Sequence, residues 1–228
     1  LNAETAVNGT WLLCINLDGE PLQQIEFCEE ALKDQNINET DRAFALFVRG
    51  KAYQGLGKSE EAIADFGESL KLNPDVLAVL LRSGEVFRDL GKPDLAMADF
   101  NRAIEVDPDY APALTGKAAL LMELAQFTEA LAAIEKLVQL SPDDSYKYSA
   151  RGRIPLFLQK WRYASNNFAK AIALQPQEPV YWNNHGYSTE MLGDVEGARA
   201  DYEKALSLDP SFDLAKKNLD ALNAKTKK

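Results

Sequence analysis

The sequence has few of the residues on which most metal sites and catalytic centres depend. Among 228 residues there are 1 histidine and 2 cysteines, too few for a zinc site with four ligands. Basic residues are outnumbered, with 25 Lys and Arg against 35 Asp and Glu, a net charge of −10. Nonspecific binding to nucleic acids or to anionic membranes relies on clustered positive charge. We therefore expect neither as a partner.

Long apolar segments are also missing. No run of about 18 apolar residues occurs, so we expect no membrane-spanning helix. The start, Leu1-Asn2-Ala3-Glu4, has neither the basic nor the apolar region of a signal peptide. The expectation is a chain made without a signal peptide or one from which it has been removed.

What the sequence does contain is a repeat of 34 residues. Three series keep this interval: alanine from Ala62 to Ala198, a small residue from Gly50 to Gly186, and a large apolar residue from Phe66 to Tyr202. Prolines form a fourth series: Pro74, Pro108, Pro142, Pro176 and Pro210. Such self-similarity is typical of stacked repeat architectures.

One period predicts two helices. Leu46, Gly50 and Tyr53 are spaced along one stripe of a first helix, and Ala62, Phe66 and Leu70 along a stripe of a second. Glycines between the stripes favour the end of the first helix, and a proline closes the unit. Such a hairpin cannot bury both apolar faces alone, so we expect the units to stack.

This pattern resembles the tetratricopeptide repeat (TPR) family. Its signature is small at the positions of Gly50 and Ala62, aromatic at Tyr53 and Phe66, and proline at Pro74. The resemblance covers most of the chain. It implies an all-α fold, a right-handed α-solenoid of helix-turn-helix repeats, and no enzymatic activity or cofactor.

The repeat interval predicts a single solenoid over 1–228. We expect a degenerate helical hairpin at 1–42, with a polar connector over Asp34–Thr40, and a capping helix at 213–228. Between them lie five repeats: 43–76, 77–110, 111–144, 145–178 and 179–212.

In TPR proteins the first helix of each hairpin lines a concave groove, and this resemblance implies the site. We expect a scaffold that binds a peptide or helix of another protein there; an ordinary solvated face is the plain alternative. A second function is a structural unit that self-associates through the ends of the solenoid. The groove residues implied by register are Phe44, Phe47, Lys51, Arg82, Arg88, Tyr146, Arg153, Asn183, Asn184 and Tyr187.

One known mode of TPR binding is not expected. Family members that clamp a C-terminal carboxylate use Lys, Asn, Asn, Lys and Arg across three repeats. The corresponding positions here are Phe47, Lys51, Arg82, Pro112 and Gly116.

Cys14 and Cys28 lie on either side of a turn at Asp18–Pro21. Antiparallel helices would bring them to similar heights, so a disulfide is one reading and two buried thiols the other. A cysteine-containing hairpin before the repeats resembles exported bacterial TPR proteins. This implies a periplasmic or otherwise exported protein, with the cytoplasm as the alternative.

Three features need separate interpretation. Gly55-Leu56-Gly57-Lys58-Ser59 is similar to a phosphate-binding loop, but a helix rather than a strand is predicted before it, so we expect no nucleotide binding. His185, in a solvent-tolerant register, is expected to be partly exposed rather than catalytic. Pro155 lies inside a predicted first helix and favours a kink or an early break there.

Overall fold

The computed structural model describes residues 11–15 and 20–226, and in that part the secondary structure is helical, joined by turns. The chain divides into two compact units, Leu1–Leu120 and Leu121–Lys228. The boundary falls within the first helix of the third repeat.

The first unit contains a helical segment at 11–14 and the helices α1 (Pro21–Leu32), α2 (Glu39–Gly55), α3 (Ser59–Leu72), α4 (Leu77–Asp89), α5 (Pro93–Val106) and the first part of α6 (Ala111–Glu123). The second unit contains α7 (Phe127–Leu140), α8 (Ser145–Phe157), α9 (Trp161–Leu174), α10 (Pro179–Met191), α11 (Val195–Leu208) and α12 (Asp213–Thr226). Within each unit the consecutive helices from α1 onwards pack against each other. The all-α prediction is confirmed.

Helix α2 begins earlier than the predicted connector allowed. Asn38 caps it, since its side-chain oxygen accepts a hydrogen bond from the backbone N–H of Asp41 at 2.8 Å. An asparagine in this position satisfies one of the N–H groups left free at a helix start. The prediction of a connector over Asp34–Thr40 was therefore wrong at its end, because Glu39 and Thr40 belong to the helix.

The turn inside each hairpin requires a left-handed backbone at one position. Gly57, Gly91 and Gly193 have φ values of 71°, 67° and 88°, which glycine adopts without steric cost. The same turn position in the third and fourth repeats is held by Ala125 (φ 56°) and Gln159 (φ 55°). These two residues accept a conformation that costs an L-residue roughly 1–2 kcal/mol.

A small residue facing an aromatic ring sets the distance between the two helices of a hairpin. A Cβ placed on Gly50 would lie 2.6 Å from the ring of Phe66, and one on Gly84 2.7 Å from that of Phe100. Both rings are fully buried. This close contact explains why the repeat keeps a small residue at the position of Gly50.

A polar pair joins the same two helices in four hairpins. The guanidinium of Arg49 donates to both carboxylate oxygens of Asp65, at 2.8 and 2.6 Å. The partners at the matching positions, each 16 residues apart in sequence, are Ser83 with Asp99, Arg151 with Asn167 and His185 with Asp201. The series places hydrogen-bonding groups at a recurring point of an otherwise apolar contact.

The pair in the second repeat is incomplete. Ser83 gives the Asp99 carboxyl a hydrogen bond, but the Oδ2 atom of Asp99 is buried with no hydrogen-bond partner among the described residues. Burial raises the pKa of Asp99, and the hydrogen bond from Ser83 only partly opposes this. A serine therefore stabilises this carboxylate less than an arginine does in the first repeat.

The two ends of the chain are held differently. Cys14 and Cys28 form a disulfide with a Cα–Cα distance of 4.6 Å, surrounded by Ala31, Ala45 and Val48. At the other end α12 packs against α10 and α11. There the Nδ2 of Asn218 donates to Asn183 at 2.9 Å, and Leu222 is buried beside Tyr202.

Candidate functional site

Helices α8 and α10 carry matching stripes of exposed and half-buried side chains. On α8 the stripe is Tyr146, Ala150, Arg153 and Phe157, and on α10, one repeat later, it is Val180, Asn184, Tyr187 and Met191. The two helices contact each other directly. We call this surface the α8–α10 face.

Large apolar and aromatic groups are unusually accessible on this face. Tyr146 is 65% exposed, Phe157 59% and Tyr187 38%. Monomeric proteins rarely expose contiguous apolar patches larger than about a few hundred Å², and patches above that size mark interaction sites. The α8–α10 face is therefore the candidate interaction surface of the second unit.

Two aromatic contacts hold these side chains in place. Phe157 stacks on Phe127 with ring centroids 4.9 Å apart and an interplanar angle of 2°. Tyr187 makes an edge-to-face contact with Trp161 at 6.1 Å. A ring fixed by a neighbour loses less conformational freedom when a ligand binds, which favours affinity.

Pro155 does not end α8. The helix continues to Phe157 and the proline is buried within it. The early break expected as one outcome is therefore wrong, because the surrounding packing holds the last turn in helical form. Phe157, the final residue of the helix, is kept on the same stripe as Arg153.

The predicted groove residues of the second unit fall into two groups. Tyr146, Arg153 and Tyr187 are exposed and Asn184 is half-buried, all on the α8–α10 face. Asn183, by contrast, is only 2% exposed. Its prediction as a partner-binding residue is wrong, because its side chain donates to Asn184 at 3.2 Å and accepts from Asn218 at 2.9 Å.

The predicted residues of the first unit are largely engaged by their own neighbours. Two arginines have acidic partners, Arg82 with Glu85 at 3.1 Å and Arg88 with Asp89 at 3.3 Å. The positive charge of each arginine is therefore balanced by a neighbouring carboxylate.

The aromatic side chains of the first unit also contact one another. Phe44, which is 39% exposed, contacts Trp11 on one side and Phe47 on the other. Phe47 is half-buried and its ring contacts that of Phe66. The ammonium of Lys51 lies over the Phe47 ring, 5.9 Å from its centroid. This row is more covered than the α8–α10 face.

His185 is held by hydrogen bonds to neighbouring helices. Its Nδ1 lies 2.7 Å from Asp201 Oδ2 and its Nε2 3.2 Å from Ser165 Oγ. The side chain is 22% exposed, as predicted, but its register is that of the recurring polar pair rather than a merely solvent-tolerant one. The pair fixes the imidazole between two helices.

The segment similar to a phosphate-binding loop lies in a hairpin turn. Helix α2 precedes it and ends at Gly55, and α3 begins at Ser59. A phosphate-binding loop follows a strand, which lets its N–H groups converge on phosphate. The predicted structural context is confirmed.

Two features are absent from the part of the chain that the structure describes. No group of three or more His, Cys, Asp or Glu side chains there is arranged to hold a metal ion. Nor does any helix in that part have the length and apolar character needed to cross a bilayer.

Sequence reasoning missed several residues of the α8–α10 face. Val180 and Met191 are exposed, and the repeat interval from Tyr146 and Phe157 could have identified both. Phe127 and Trp161 open the second helices of their hairpins. Their contacts with Phe157 and Tyr187 depend on how neighbouring hairpins pack, which the interval does not describe.

Family models provide the first comparison with known proteins. Three models, each described as tetratricopeptide repeat, match residues 47–111, 87–154 and 180–212. The comparison with curated proteins gives no match.

Solved structures provide the second comparison. MamA 41-end from Desulfovibrio magneticus RS-1 is 23% identical, with a TM-score of 0.70 over 77% of this chain and 99% of that one. YrrB, described as a TPR protein with an unusual peptide-binding site, is 19% identical, with a TM-score of 0.72 over 89% and 99%.

A third solved structure covers more of the chain. A tetratricopeptide repeat protein from Parabacteroides merdae ATCC 43184 is 15% identical, with a TM-score of 0.71 over 96% of this chain and 99% of that one. At these identities the likeness concerns the fold.

Proposed function

Because this chain belongs to the tetratricopeptide repeat family, we propose that it is a non-enzymatic scaffold that binds a peptide or helix of another protein. The α8–α10 face is the proposed binding surface. The observation that carries the proposal is the exposure of Tyr146, Phe157 and Tyr187 on matching stripes of two adjacent first helices. Aromatic side chains and arginine are the types that contribute most to the energy of protein interfaces.

The comparisons lend general support. The family builds surfaces for protein interaction from stacked hairpins. YrrB is described as having a peptide-binding site, and we propose that this chain also binds a peptide. The fully buried Asn183 is not part of the proposed surface.

The test compares Tyr187→Ala with Leu95→Ala. Leu95 is also an exposed apolar residue, 48% accessible, but it belongs to α5 in the first unit and not to the proposed face. Partners captured from the native host by the wild-type protein would be purified and titrated into each variant by calorimetry. We expect Tyr187→Ala to lose more than about 2 kcal/mol of binding free energy, as anchors of this type do. Leu95→Ala should bind as the wild type does.

Circular dichroism and melting of both variants accompany the titration. Equal affinities for Tyr187→Ala and the wild type, or an equal loss in Leu95→Ala, would place binding elsewhere. A loss of binding accompanied by a loss of helicity would count as unfolding and not as support.

Self-association is a second candidate function. Leu12, Leu13 and Leu22 are 62%, 47% and 63% exposed at the N-terminal end of the first unit. Sedimentation of the wild type and of Leu22→Glu tests this. A concentration-dependent dimer that Leu22→Glu abolishes supports it, and a monomer at all concentrations contradicts it.

We propose an exported location, in agreement with the Cys14–Cys28 disulfide. Disulfides persist in oxidising compartments and are rare in the cytosol. Alkylation of free thiols in intact cells of the native host provides the test. Two alkylated cysteines in the native protein would contradict export.

A further inference from the structure

The fourth hairpin, α8 with α9, differs in charge from the rest of the chain. The chain has a net charge of −10, but residues 145–177 contain no aspartate or glutamate. The basic residues of that span are Lys147, Arg151, Arg153, Lys160, Arg162 and Lys170. A basic segment in an acidic protein creates a local field of the opposite sign.

Part of this charge serves the fold itself. Arg151 donates to Asn167 at 2.5 Å and lies over the ring of Tyr148 at 5.1 Å. Lys147 lies 3.5 Å from Asp144, just outside the acid-free span. The Lys170 ammonium lies 6.0 Å from the centroid of the Tyr148 ring. These three cations are accounted for by contacts within the hairpin and its entry.

The remaining charge is directed to solvent. Arg153, Lys160 and Arg162 are exposed. Among the described residues none of the three has an acidic partner, whereas Arg82 and Arg88 in the first unit each have one. Three cations are therefore available for a ligand.

These cations are close in sequence to aromatic residues that belong to the α8–α10 face or contact it. Arg153 belongs to the α8 stripe, one turn from Phe157. Lys160 and Arg162 flank Trp161, whose ring contacts Tyr187. Positive charge and apolar surface thus belong to one region of the second unit.

Arg162 is electrostatically unfavourable for the helix that carries it. It is the second residue of α9, where the helix dipole favours a negative side chain. The same position holds Glu60 in α3, Asp94 in α5 and Glu196 in α11. A local rule broken without a compensating contact is expected at functional sites.

We propose that the fourth hairpin is the docking site for an acidic segment of a partner protein. The carboxylates of the segment would face Arg153, Lys160 and Arg162, and an apolar side chain would lie against Phe157 and Tyr187. This inference rests on the proposed function and specifies the chemistry of the partner. The acidic remainder of the chain repels such a segment elsewhere, which directs it to this hairpin.

A nucleic acid fits these observations less well. Its affinity comes from many phosphate contacts, whereas three uncompensated cations are present on a chain of net charge −10. An acidic peptide requires only a few charge contacts together with an apolar anchor.

The probe is a fluorescently labelled synthetic peptide that alternates Glu with Phe and Leu, titrated into the full disulfide-bonded chain. Its control has Gln in place of every Glu. The diagnostic variant combines Arg162→Glu with Arg153→Glu. The control for charge reversal outside this hairpin is Lys92→Glu, because Lys92 occupies in the second hairpin the turn position that Lys160 occupies in the fourth.

We expect the Glu peptide to bind more tightly than the Gln peptide, and the difference to shrink as salt rises. Arg162→Glu, combined with Arg153→Glu, should weaken binding roughly tenfold or more. Lys92→Glu should leave binding unchanged. Arg162→Glu alone should melt at the same or a higher temperature than the wild type, so that lost binding cannot be attributed to lost folding.

Several results would overturn the inference. If both peptides bind equally and Tyr187→Ala weakens both, the face binds peptides without preferring acid, so the scaffold function survives while this inference fails. An equal loss in Lys92→Glu would indicate a nonspecific charge effect. Displacement of the peptide by single-stranded DNA at equal charge would assign the site to a phosphate polymer. A wild-type dimer that Arg162→Glu converts to monomer would make another copy of this chain the source of the acidic segment.

Discussion

Replacing Asp99 by asparagine should stabilise the protein at neutral pH. The Oδ2 atom of Asp99 is buried without a hydrogen-bond partner in the described part of the chain, and burial raises the pKa of the carboxyl. The fourth repeat already contains the replacement: Asn167 occupies the same position and its Nδ2 donates to the carbonyl of Tyr163 at 2.7 Å. In Asp99→Asn the corresponding acceptor is the carbonyl of Leu95.

The magnitude follows from removing one unsatisfied buried group. Leaving such a group without a partner costs about 1–3 kcal/mol, and the half-buried position of Asp99 favours the lower end. We therefore expect a gain of about 1 kcal/mol in the free energy of unfolding, or roughly 2–4 °C in melting temperature for a chain of this size. The matched control Asp65→Asn should instead destabilise, because it breaks the two-bond contact with Arg49.

The pH dependence provides a second readout. The folded-state pKa of Asp99 is raised. The folded protein therefore binds more protons than the unfolded one between pH ~4, the usual pKa of an aspartate, and the raised pKa of the folded state. Wild-type stability therefore falls as pH rises through that window, and Asp99→Asn removes this loss. The advantage of the variant should be largest at neutral pH and small at pH ~3.

Denaturant unfolding with the disulfide intact, followed by circular dichroism at several pH values, measures the difference. The reasoning fails if Asp99→Asn is less stable than the wild type at neutral pH. It also fails if the gain is the same at every pH, because the gain would then have nothing to do with the carboxylate charge.

Three further predictions concern the turns and the helix contact. Gln159→Gly and Ala125→Gly should each raise the free energy of unfolding by about 1 kcal/mol, since both positions have φ near 55°; denaturant titration checks this, and a loss in both would contradict the strain. Gly50→Ala should lower it by about 1–3 kcal/mol because the new methyl group would overlap the Phe66 ring; a variant as stable as the wild type would show that the ring can move. Calorimetry should detect no ATP or GTP binding, since the turn at Lys58 follows a helix; micromolar binding that Lys58→Ala removes would refute this.

The repeat interval predicted the fold well because the residues that recur at this interval lie at close contacts between helices. A position such as Gly50 tolerates only a small residue, so its chemistry recurs and can be read from one sequence. The start of α2 was missed because Asn38 is not part of the repeat: the residues one and two intervals later are Leu72 and Val106, which cannot cap a helix with a side-chain oxygen. The interval also could not distinguish Asn183 from Asn184, since burial of Asn183 depends on its contact with Asn218 in α12.

The candidate site was predicted only in outline. Tyr146, Arg153 and Tyr187 follow from register. The charge of the fourth hairpin was visible in the sequence as a gap between Asp144 and Glu178 without acidic residues, but it becomes informative only when the cations inside it are separated into those with partners and those without. That separation needs the positions of Asn167 and Asp144, which spacing alone does not provide.

The two ends of the chain are stabilised by different contacts, so we expect local unfolding to begin at one end rather than at both. At the N-terminal end a disulfide joins the segment at 11–14 to α1 across a sequence separation of 14, so these two elements stay together while the bond is intact. The last helix, α12, is attached by noncovalent contacts alone, among them Asn218 with Asn183 and Lys225 with Glu190. In an array stabilised by contacts between neighbours, opening starts where the fewest are lost. Amide exchange should therefore spread inward from α12, and the α8–α10 face would lose one of its two helices soon after.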